Sequence, residues 1–342
     1  MRKTVLLLGI CFVVAMIYSS CKEPHYMGVA FYNVENLFDT IDDPETYDGE
    51  YLPDSFRQWN TEKYKTKLHN LAKVITTFDG QYAPDFLGLC EVENKTVVED
   101  LLATNPLNKL KFELVHYESS DARGIDVAAM YNPKKLTLVE SGVQWVDLSE
   151  FEQITRDILW VKMKSVVGDE DFLFFVNHWP SRRGGLAESE PKRIQAAKTL
   201  KRLKDSLVKL TPNANVVVVG DFNDEPDNKS VLTELNTSGD YKTISNEQLF
   251  NVMSRLNDKK KGSYCFRGTW NMLDQIMVND NLLDGKSWEY VGKSAKIRDE
   301  KWLKQASGKY KNFPLRTFGG KNYLAGYSDH LPVYAILKHS GD

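Results

Sequence analysis

Acidic and amide side chains follow, or lie within, strand-like apolar runs at five places in this chain. These segments span residues 27–36, 86–94, 216–224, 273–278 and 327–337. Carboxylates at the ends of neighbouring buried strands should converge at one rim of a sheet. Converged carboxylates repel each other by about 4 kcal/mol per close pair at an effective dielectric of about 20, so such a site needs a cation or protons. The pattern therefore predicts a divalent-metal hydrolase.

The segment Gly220–Asp224 carries the sharpest motif, Gly-Asp-x-Asn. Glycine lets the backbone turn after the four valines that precede it. Asp221 and Asn223 are two residues apart, so on an extended segment both side chains point to the same side. A carboxylate that takes a proton from water, beside an amide that orients a phosphate, forms a hydrolytic pair. The alternative is an Asx-rich turn without chemistry.

A second polar group, Ser328, Asp329 and His330, precedes the last apolar run of the chain. An aspartate there could bind a metal or orient a histidine, and the histidine could bond a phosphate. By itself this segment is also compatible with a simple turn. Combined with Glu91 and the Gly-Asp-x-Asn motif, it indicates a site for phosphoester chemistry.

With these motifs in this order, the chain resembles the endonuclease/exonuclease/phosphatase superfamily, the deoxyribonuclease I-like proteins, from Phe31 to Leu337. The positions that match the family's motifs are Asn33, Glu91, Asp221, Asn223, Asp274, Asp329 and His330. His178 resembles the family's other active-site histidine, although a single histidine more often has a structural role. The resemblance implies an α/β fold, a four-layer α/β sandwich of two mixed, largely antiparallel sheets flanked by helices.

The resemblance also implies Mg²⁺ or Mn²⁺ as the cofactor, held by Glu91 with Asp329 and Glu35. Glu35 follows Asn33 by two residues and could face the same rim. Mg²⁺ prefers about six oxygen ligands and keeps several as water, so one or two carboxylates suffice. The implied catalytic roles are activation or orientation of water by Asp221, positioning of the phosphate by Asn33 and Asn223, and stabilisation of charge by His178 and by His330, which Asp274 orients.

Four arginines are candidates for substrate binding, because a guanidinium binds phosphate oxygens in a bidentate way. Arg182 and Arg183 follow His178 in a glycine-rich segment, where a surface turn is the alternative. Arg123 lies where the next strand of the family begins. Arg267 lies among the aromatic residues of segment 264–270, which would form either a substrate wall or part of the core.

Helices and strands must position these groups. Apolar residues at helical spacing predict helices over residues 60–78, 94–102 and 190–210. Strands are expected at residues 112–117, 125–131, 136–141, 158–166 and 171–176, and a long loop at 39–60. The third helix carries six basic residues that we interpret as a solvated outer face: Lys192, Arg193, Lys198, Lys201, Arg202 and Lys204.

The first 20 residues have the pattern of a secretory signal, with two basic residues followed by an apolar run too short for a comfortable membrane span. Cys21 then follows two serines, which resembles a bacterial lipoprotein signal whose mature chain begins at a lipidated cysteine. Simple secretion and an uncleaved anchor are the alternatives. We expect a tether over residues 21–26 and a single domain over residues 27–342, anchored to the membrane by lipid, in a cell envelope lipoprotein that faces the periplasm or the exterior.

The composition leaves three functions open. The 342 residues carry a net charge of −3 and a pI of about 6.1, and proteins that hold nucleic acid tightly usually have a high pI. Nucleic acid contact must therefore be local, or the substrate is smaller. The first candidate is an extracytoplasmic endonuclease or exonuclease, because segments 33–38 and 177–182 look like those of secreted bacterial nucleases. The second is a phosphatase or phosphodiesterase acting on a small molecule or lipid headgroup, and the third is a non-catalytic surface-binding lipoprotein. We expect a monomer.

Overall fold

The structure is a computed structural model and describes residues 24–78, 83–245, 247–257 and 260–339. The expected signal over residues 1–20 and the lipidated Cys21 lie outside the described residues. Among the helices described, none has the length and apolarity needed to cross a membrane.

The first sheet contains seven strands: β1 (His25–Leu37), β2 (Phe86–Val92), β3 (Glu113–His116), β4 (Asp126–Tyr131), β14 (Trp288–Tyr290), β15 (Lys296–Ile297) and β18 (Val333–His339). Their order is β14-β18-β1-β2-β4-β3, and β15 also pairs with β18. β1 and β2 are parallel, and the other pairs are antiparallel. His25 and Tyr26, expected in the tether, pair with β18 instead, so the domain begins earlier than we expected.

The second sheet also contains seven strands: β5 (Leu136–Gln144), β6 (Ile158–Ser165), β7 (Asp171–His178), β8 (Asn215–Asp221), β9 (Thr237–Ser238), β10 (Leu249–Asn251) and β13 (Asp274–Val278). Their order is β5-β6-β7-β8-β13-β10-β9. The β7/β8 and β9/β10 pairs are parallel, and the others are antiparallel. Mixed but largely antiparallel pairing is what the resemblance implied, and it is confirmed.

Two small hairpins, three α-helices and several short 3₁₀ or π-helical turns complete the described part of the fold. The hairpins are β11 (Tyr264–Phe266) with β12 (Thr269–Asn271), and β16 (Phe318–Gly319) with β17 (Asn322–Tyr323). The helices are α1 (Thr61–Ile75), α2 (Lys95–Ala103) and α3 (Leu186–Leu210). Asn60 and Asn94 cap α1 and α2, each accepting a backbone N–H of the first turn, as capping asparagines do.

Three apolar clusters show that the molecule has four layers. The central cluster joins the two sheets, and in it the rings of Phe86 and Phe174 stack with their centroids 3.8 Å apart. The outer clusters join α1 and α2 to the first sheet and α3 to the second. Gly88 allows the sheets to approach closely, since a Cβ there would lie 2.8 Å from the Val219 side chain.

The strands expected from residue 112 to 176 are β3 to β7, with ends displaced by a few residues. α3 begins at Leu186, about one turn before the expected start at residue 190. Its first turn is fixed by Arg193, which donates to the Ser189 hydroxyl and the Leu186 carbonyl.

The expectation that all six basic residues of α3 form a solvated face was wrong for two of them. Arg193 has no exposed surface and Lys204 is 6% exposed. Arg193 Nε lies 2.7 Å from an oxygen of buried Asp224, and Lys204 Nζ lies 2.7 Å from Asp205. A carboxylate buried beneath the helix attracts Arg193 inward, because a buried charge is costly without a partner.

Candidate active site

Three neighbouring strands of the second sheet bring acidic and imidazole groups side by side. His178 at the end of β7 pairs in register with Asp221 at the end of β8. Asp221 in turn pairs with Asp274 at the start of β13. Because β13 is antiparallel to β8, its first residue meets the last residue of β8. The convergence at one rim, expected from the sequence, is therefore built by strand pairing.

The first sheet contributes Asn33 and Glu91 to the same place. Asn33 Nδ2 donates to Glu91 Oε1 and to Asp221 Oδ2, both at 3.1 Å, and so joins the two sheets. Glu91 has a φ of 61°, and the pairing of β2 shifts at this residue. A bulge of this kind turns a side chain out of the regular alternation, which aims the Glu91 carboxylate at the rim.

Asp221 lies at the centre of the site. Its Oδ1 accepts the Asn223 backbone N–H at 2.9 Å, and its Oδ2 lies 3.7 Å from His178 Nε2 and 3.8 Å from His330 Nε2. Burial raises the pKa of Asp221 to about 6; the charge on His330 opposes this shift and Asp274 adds to it. This carboxyl can therefore hold or release a proton close to neutral pH.

The two histidines have opposite charge preferences. Burial lowers the pKa of His330, but the carboxylates of Asp274 and Asp221 outweigh it and raise the pKa well above its usual value. Asp274 Oδ2 lies 2.7 Å from His330 Nδ1, and the Tyr264 ring stacks on the imidazole. Burial, followed by the charges of Arg156 and Arg123, holds the pKa of His178 well below its usual value. The site thus pairs a cationic imidazole with a neutral one.

These groups face a cavity of about 360 Å³. Its described lining is Glu91, Arg123, His178, Ser181, Arg182, Arg183, Asp221, Asn223, Tyr264, Phe266, Asn271, Leu273, Asp329 and His330. The structure therefore brings nine of the predicted site residues to one surface. Asn33 and Asp274 lie behind it, in contact with Asp221 and His330 respectively.

The four predicted substrate arginines differ in position. Arg123 and Arg183 are exposed where they line the cavity, so both can reach a bound anion. The guanidinium of Arg182 is held by the protein, because it donates to the Asn223 carbonyl and to the side chains of Asn271 and Asn228. It fixes the loop of Asn223 rather than reaching outward.

Arg267 is exposed at the tip of the β11–β12 hairpin and does not line the cavity. Its guanidinium carbon lies 5.1 Å from the centroid of the Phe266 ring. Of the segment that the sequence left open as substrate wall or core, Tyr264 and Phe266 line the cavity, while Trp270 packs near Phe313.

Glu35 is the predicted metal ligand that the structure does not bring to the cavity. Its Oε1 lies 3.1 Å from Arg316 Nε, and its Oε2 accepts the Thr317 N–H at 2.6 Å. The buried Lys67 ammonium lies 3.8 Å from Oε2. Both carboxylate oxygens are thus engaged by this chain's own donors.

Arg316 and Lys67 are site neighbours that the sequence did not reveal. They lie far from Glu35 along the chain, and no local motif marks them. Segment 302–323 is rich in lysines and aromatic residues, but without the fold nothing singles out Arg316 within it.

The donor set fits a divalent cation. Glu91 and Asp329 line one cavity, and burial, followed by the charge of Asp329, raises the pKa of Glu91. Glu91 is bonded to the neutral donors Asn33 Nδ2 and the Asn36 N–H. Oxygen ligands with several retained waters are what Mg²⁺ and Mn²⁺ prefer. Glu91 and Asp329 would hold the ion.

Solved structures of other proteins share this fold. An endonuclease/exonuclease/phosphatase family protein from Bacteroides thetaiotaomicron is 18% identical, with 92% of this chain and 98% of that chain covered and a TM-score of 0.56. A mannosyl-6-phosphatase from B. thetaiotaomicron VPI-5482 is 17% identical, with coverages of 91% and 99% and a TM-score of 0.56. TDP2 from D. rerio, solved with a single strand DNA product, is 13% identical, with coverages of 91% and 98% and a TM-score of 0.55.

No curated protein matches the chain. The sequence profile described as the Endonuclease/Exonuclease/phosphatase family matches residues 28–339, which is nearly the whole chain. Members of this family are generally phosphoester hydrolases and typically depend on a divalent metal. The paired sheets, the rim of carboxylates and imidazoles, and the profile agree: this chain belongs to the endonuclease/exonuclease/phosphatase family.

Proposed function

We propose that this chain is a Mg²⁺- or Mn²⁺-dependent hydrolase of the cell envelope that cleaves phosphodiester bonds of nucleic acid, as an endonuclease or exonuclease. The observation that carries the hydrolytic part is the position of Asp221. It is a buried carboxylate between a cationic and a neutral imidazole, on the wall of a cavity that it shares with Glu91. In this proposal Asp221 orients water and accepts its proton.

The other groups act on the phosphate. The cationic imidazole of His330 stabilises negative charge on a phosphoryl oxygen or leaving group, and Asp274 keeps its ring oriented. Arg123 and Arg183 bind the remaining oxygens. A divalent ion at Glu91 and Asp329 would polarise a phosphoryl oxygen.

A basic groove beside the active site supports a polyanionic substrate. It has a volume of about 740 Å³, and seven basic residues line it: Arg255, Lys260, Lys261, Lys293, Lys296, Lys301 and Lys304. Asp299 is the acidic residue among its described lining, and it lies 3.6 Å from Lys304. The groove lies next to the β11–β12 hairpin, which also borders the active-site cavity. Its residues Gly262, Trp270 and Leu331 are the chain neighbours of Ser263, Asn271 and His330, and the last two of these line the cavity. An acidic protein thus carries the local basic surface that nucleic acid contact requires.

The shape of the cavity favours a single strand or a chain end over an intact duplex. A cavity of about 360 Å³ can hold a phosphate with one neighbouring group, at the small end of typical ligand sites. Phe266 lies at the edge of this cavity and is 55% exposed. Unpaired bases stack on aromatic rings that have arginines nearby.

The same small cavity favours a second candidate, a phosphatase or phosphodiesterase for a small molecule or lipid headgroup. The purified protein should be assayed with Mn²⁺ or Mg²⁺ on single-stranded and duplex oligonucleotides, bis-p-nitrophenyl phosphate and phosphomonoesters. Preference for the oligonucleotides supports the first proposal, and preference for phosphomonoesters supports the second. Turnover of none of them would favour the non-catalytic lipoprotein.

The contribution of the groove can be tested separately. Replacing Lys261, Lys293 and Lys301 by Gln should raise KM for single-stranded oligonucleotides. The slope of the logarithm of the binding constant against the logarithm of the salt concentration should become shallower by about 2, since each contact to a single strand contributes about 0.7. Hydrolysis of bis-p-nitrophenyl phosphate should not change. The matched control replaces the exposed Lys65, Lys198 and Lys209 by Gln, which changes net charge equally. Equal effects of both triple variants would reject the groove.

The envelope location rests on the signal-like residues 1–20 and Cys21. One acyl chain binds a membrane only marginally, whereas several give stable anchoring. The wild-type protein should therefore fractionate with membranes, and Cys21→Ser should release it. A fully soluble wild-type protein would reject the lipid anchor.

A further inference from the structure

Two fixed cations lie beside the carboxylates at one end of the site. Arg316 bridges Glu35 and Asp329, with Nε 3.1 Å from Glu35 Oε1 and Nη2 3.0 Å from Asp329 Oδ2. The ammonium of Lys67 lies 3.8 Å from Glu35 Oε2. Two carboxylates therefore face two cations.

Lys67 is held in place by further contacts, whereas the guanidinium of Arg316 is held by the two carboxylates and its side chain is 44% exposed. Lys67 is 1% exposed, and its ammonium donates to the Thr317 hydroxyl and to the Tyr327 carbonyl, both at 2.7 Å. The backbone N–H of Thr317, the residue after Arg316, donates to Glu35 at 2.6 Å. Segment 316–317 is thus tied to Glu35 by a side chain and by the main chain.

Glu91 has different surroundings. Its oxygens accept hydrogen bonds from the neutral donors Asn33 and Asn36, and its Oε1 lies 3.9 Å from Nε2 of His178, whose imidazole is neutral. The positive charge beside Glu35 and beside Oδ2 of Asp329 is therefore built into the chain, whereas no lysine or arginine of the described residues forms an ion pair with Glu91. The charge of Arg123, on the same cavity wall, acts on Glu91 only from farther away.

We propose that Arg316 and Lys67 take the place of a second cation, so that this chain binds one divalent ion, held by Glu91 and by the Asp329 oxygen that Arg316 does not bond. A second ion near Glu35 would have to displace Arg316 and approach the buried ammonium of Lys67, and like charges at these distances repel. This inference rests on the metal dependence of the proposed function, and it determines the metal count of the site.

The test counts bound ions without measuring activity. Isothermal titration with Mn²⁺, together with the electron paramagnetic resonance of free Mn²⁺, should give one ion per chain for the unmodified protein. Glu91→Gln should weaken its binding tenfold or more. Glu35→Gln should change the affinity less than threefold.

Arg316→Gln should create a second, weaker binding event, because Glu35 and Asp329 then lose their bridging cation. Arg316→Lys keeps the charge and should retain one ion, which provides a test if the Gln variant folds poorly. Lys201→Gln is the matched control: this cation also pairs with a carboxylate, Asp205, at 2.6 Å on α3, and its removal should leave the count at one.

Two ions in the unmodified protein, one of them lost in Glu35→Gln, would overturn the inference and leave the proposed function intact. A single ion in the folded Arg316→Gln variant would also overturn it. Binding of no ion would reject the metal dependence of the proposed function together with this inference.

Discussion

Asp221 and Asp224 are two buried aspartates in the same short segment, yet their surroundings differ. Asp224 is 1% exposed; its Oδ2 accepts the Ser230 hydroxyl at 2.5 Å and lies 2.7 Å from Arg193 Nε, and its Oδ1 lies 3.4 Å from Arg182. Asp221 is 2% exposed and has an amide, a backbone N–H and two more distant imidazoles around it.

The difference separates a structural carboxylate from a chemical one. Asp224 has a buried arginine as a permanent counter-ion, so its charge is neutralised in the fold. Asp221 lacks an arginine or lysine partner in the described part of the chain, and burial raises its pKa to about 6. Positive charge for Asp221 and Glu91 is thus left to an ion, a proton or the imidazoles. Two glutamates repeat this contrast: Glu35 is paired with Arg316 and Lys67, as Asp224 is with Arg193, whereas Glu91 accepts hydrogen bonds from neutral donors, as Asp221 does.

The largest expected effect comes from removing the ion. If the rim around Glu91 lacks built-in neutralisation, EDTA should abolish phosphoester hydrolysis, and Mg²⁺ or Mn²⁺ should restore it. Initial rates before and after chelation and readdition measure this. Turnover that is indifferent to chelation would contradict the metal assignment.

The second expected effect is the loss of Asp221. Asp221→Ala should lower kcat by about 10²–10⁴, the usual range for acid–base groups. Little change in Tm is expected, because burial disfavours the charge that is removed and His330 keeps its closer partner, Asp274. His330→Ala should cost a similar factor. The double variant should lose less than the product of both, since the two groups act together.

Lys201→Ala on α3 is the control, and its kcat should not change. Its ammonium pairs with Asp205, on the outer side of the second sheet. Near-normal turnover of Asp221→Ala on every phosphoester tested would reject the mechanism while leaving the fold unaffected.

A smaller effect is expected at Asp274. Asp274→Asn keeps the shape of the side chain but removes the charge that orients His330 and raises its pKa. It should lower kcat less than Asp221→Ala does. The pKa of His330, followed by NMR titration, should fall in the variant, and an unchanged value would show that Asp274 does not support the cationic form.

The smallest effect on turnover should come from Asp224, together with a large effect on stability. Asp224→Ala leaves Arg193 buried without its carboxylate, which costs about 3–5 kcal/mol in comparable buried pairs. Denaturant unfolding should show this loss, while kcat of the folded protein stays close to normal. Replacing Asp224 by Leu and Arg193 by Met together should recover much of the stability. If Asp224→Ala lowers kcat as much as Asp221→Ala, the separation of roles is wrong.

The sequence by itself determined several members of the rim that lie at strand ends. Asp221 and Asn223 are recognisable because alternation along a strand and the break at its end are local properties of the chain. His178 and the role of Asp274 were indicated by the family resemblance instead. The α/β class and the helices α1 and α2 follow from local periodicity and from the capping asparagines in the same way.

Only the tertiary structure decided which charged groups are neutralised. Glu35 and Glu91 both end apolar runs, but Arg316, 281 residues after Glu35 in sequence, bonds Glu35 and not Glu91. Arg193 looks like a surface residue of a basic helix until the fold places Asp224 beneath it. The basic groove is likewise assembled from segments 255–256, 260–270 and 293–304 with Asn312 and Leu331. Charge neutralisation depends on distances across the fold, and no local spacing encodes those distances.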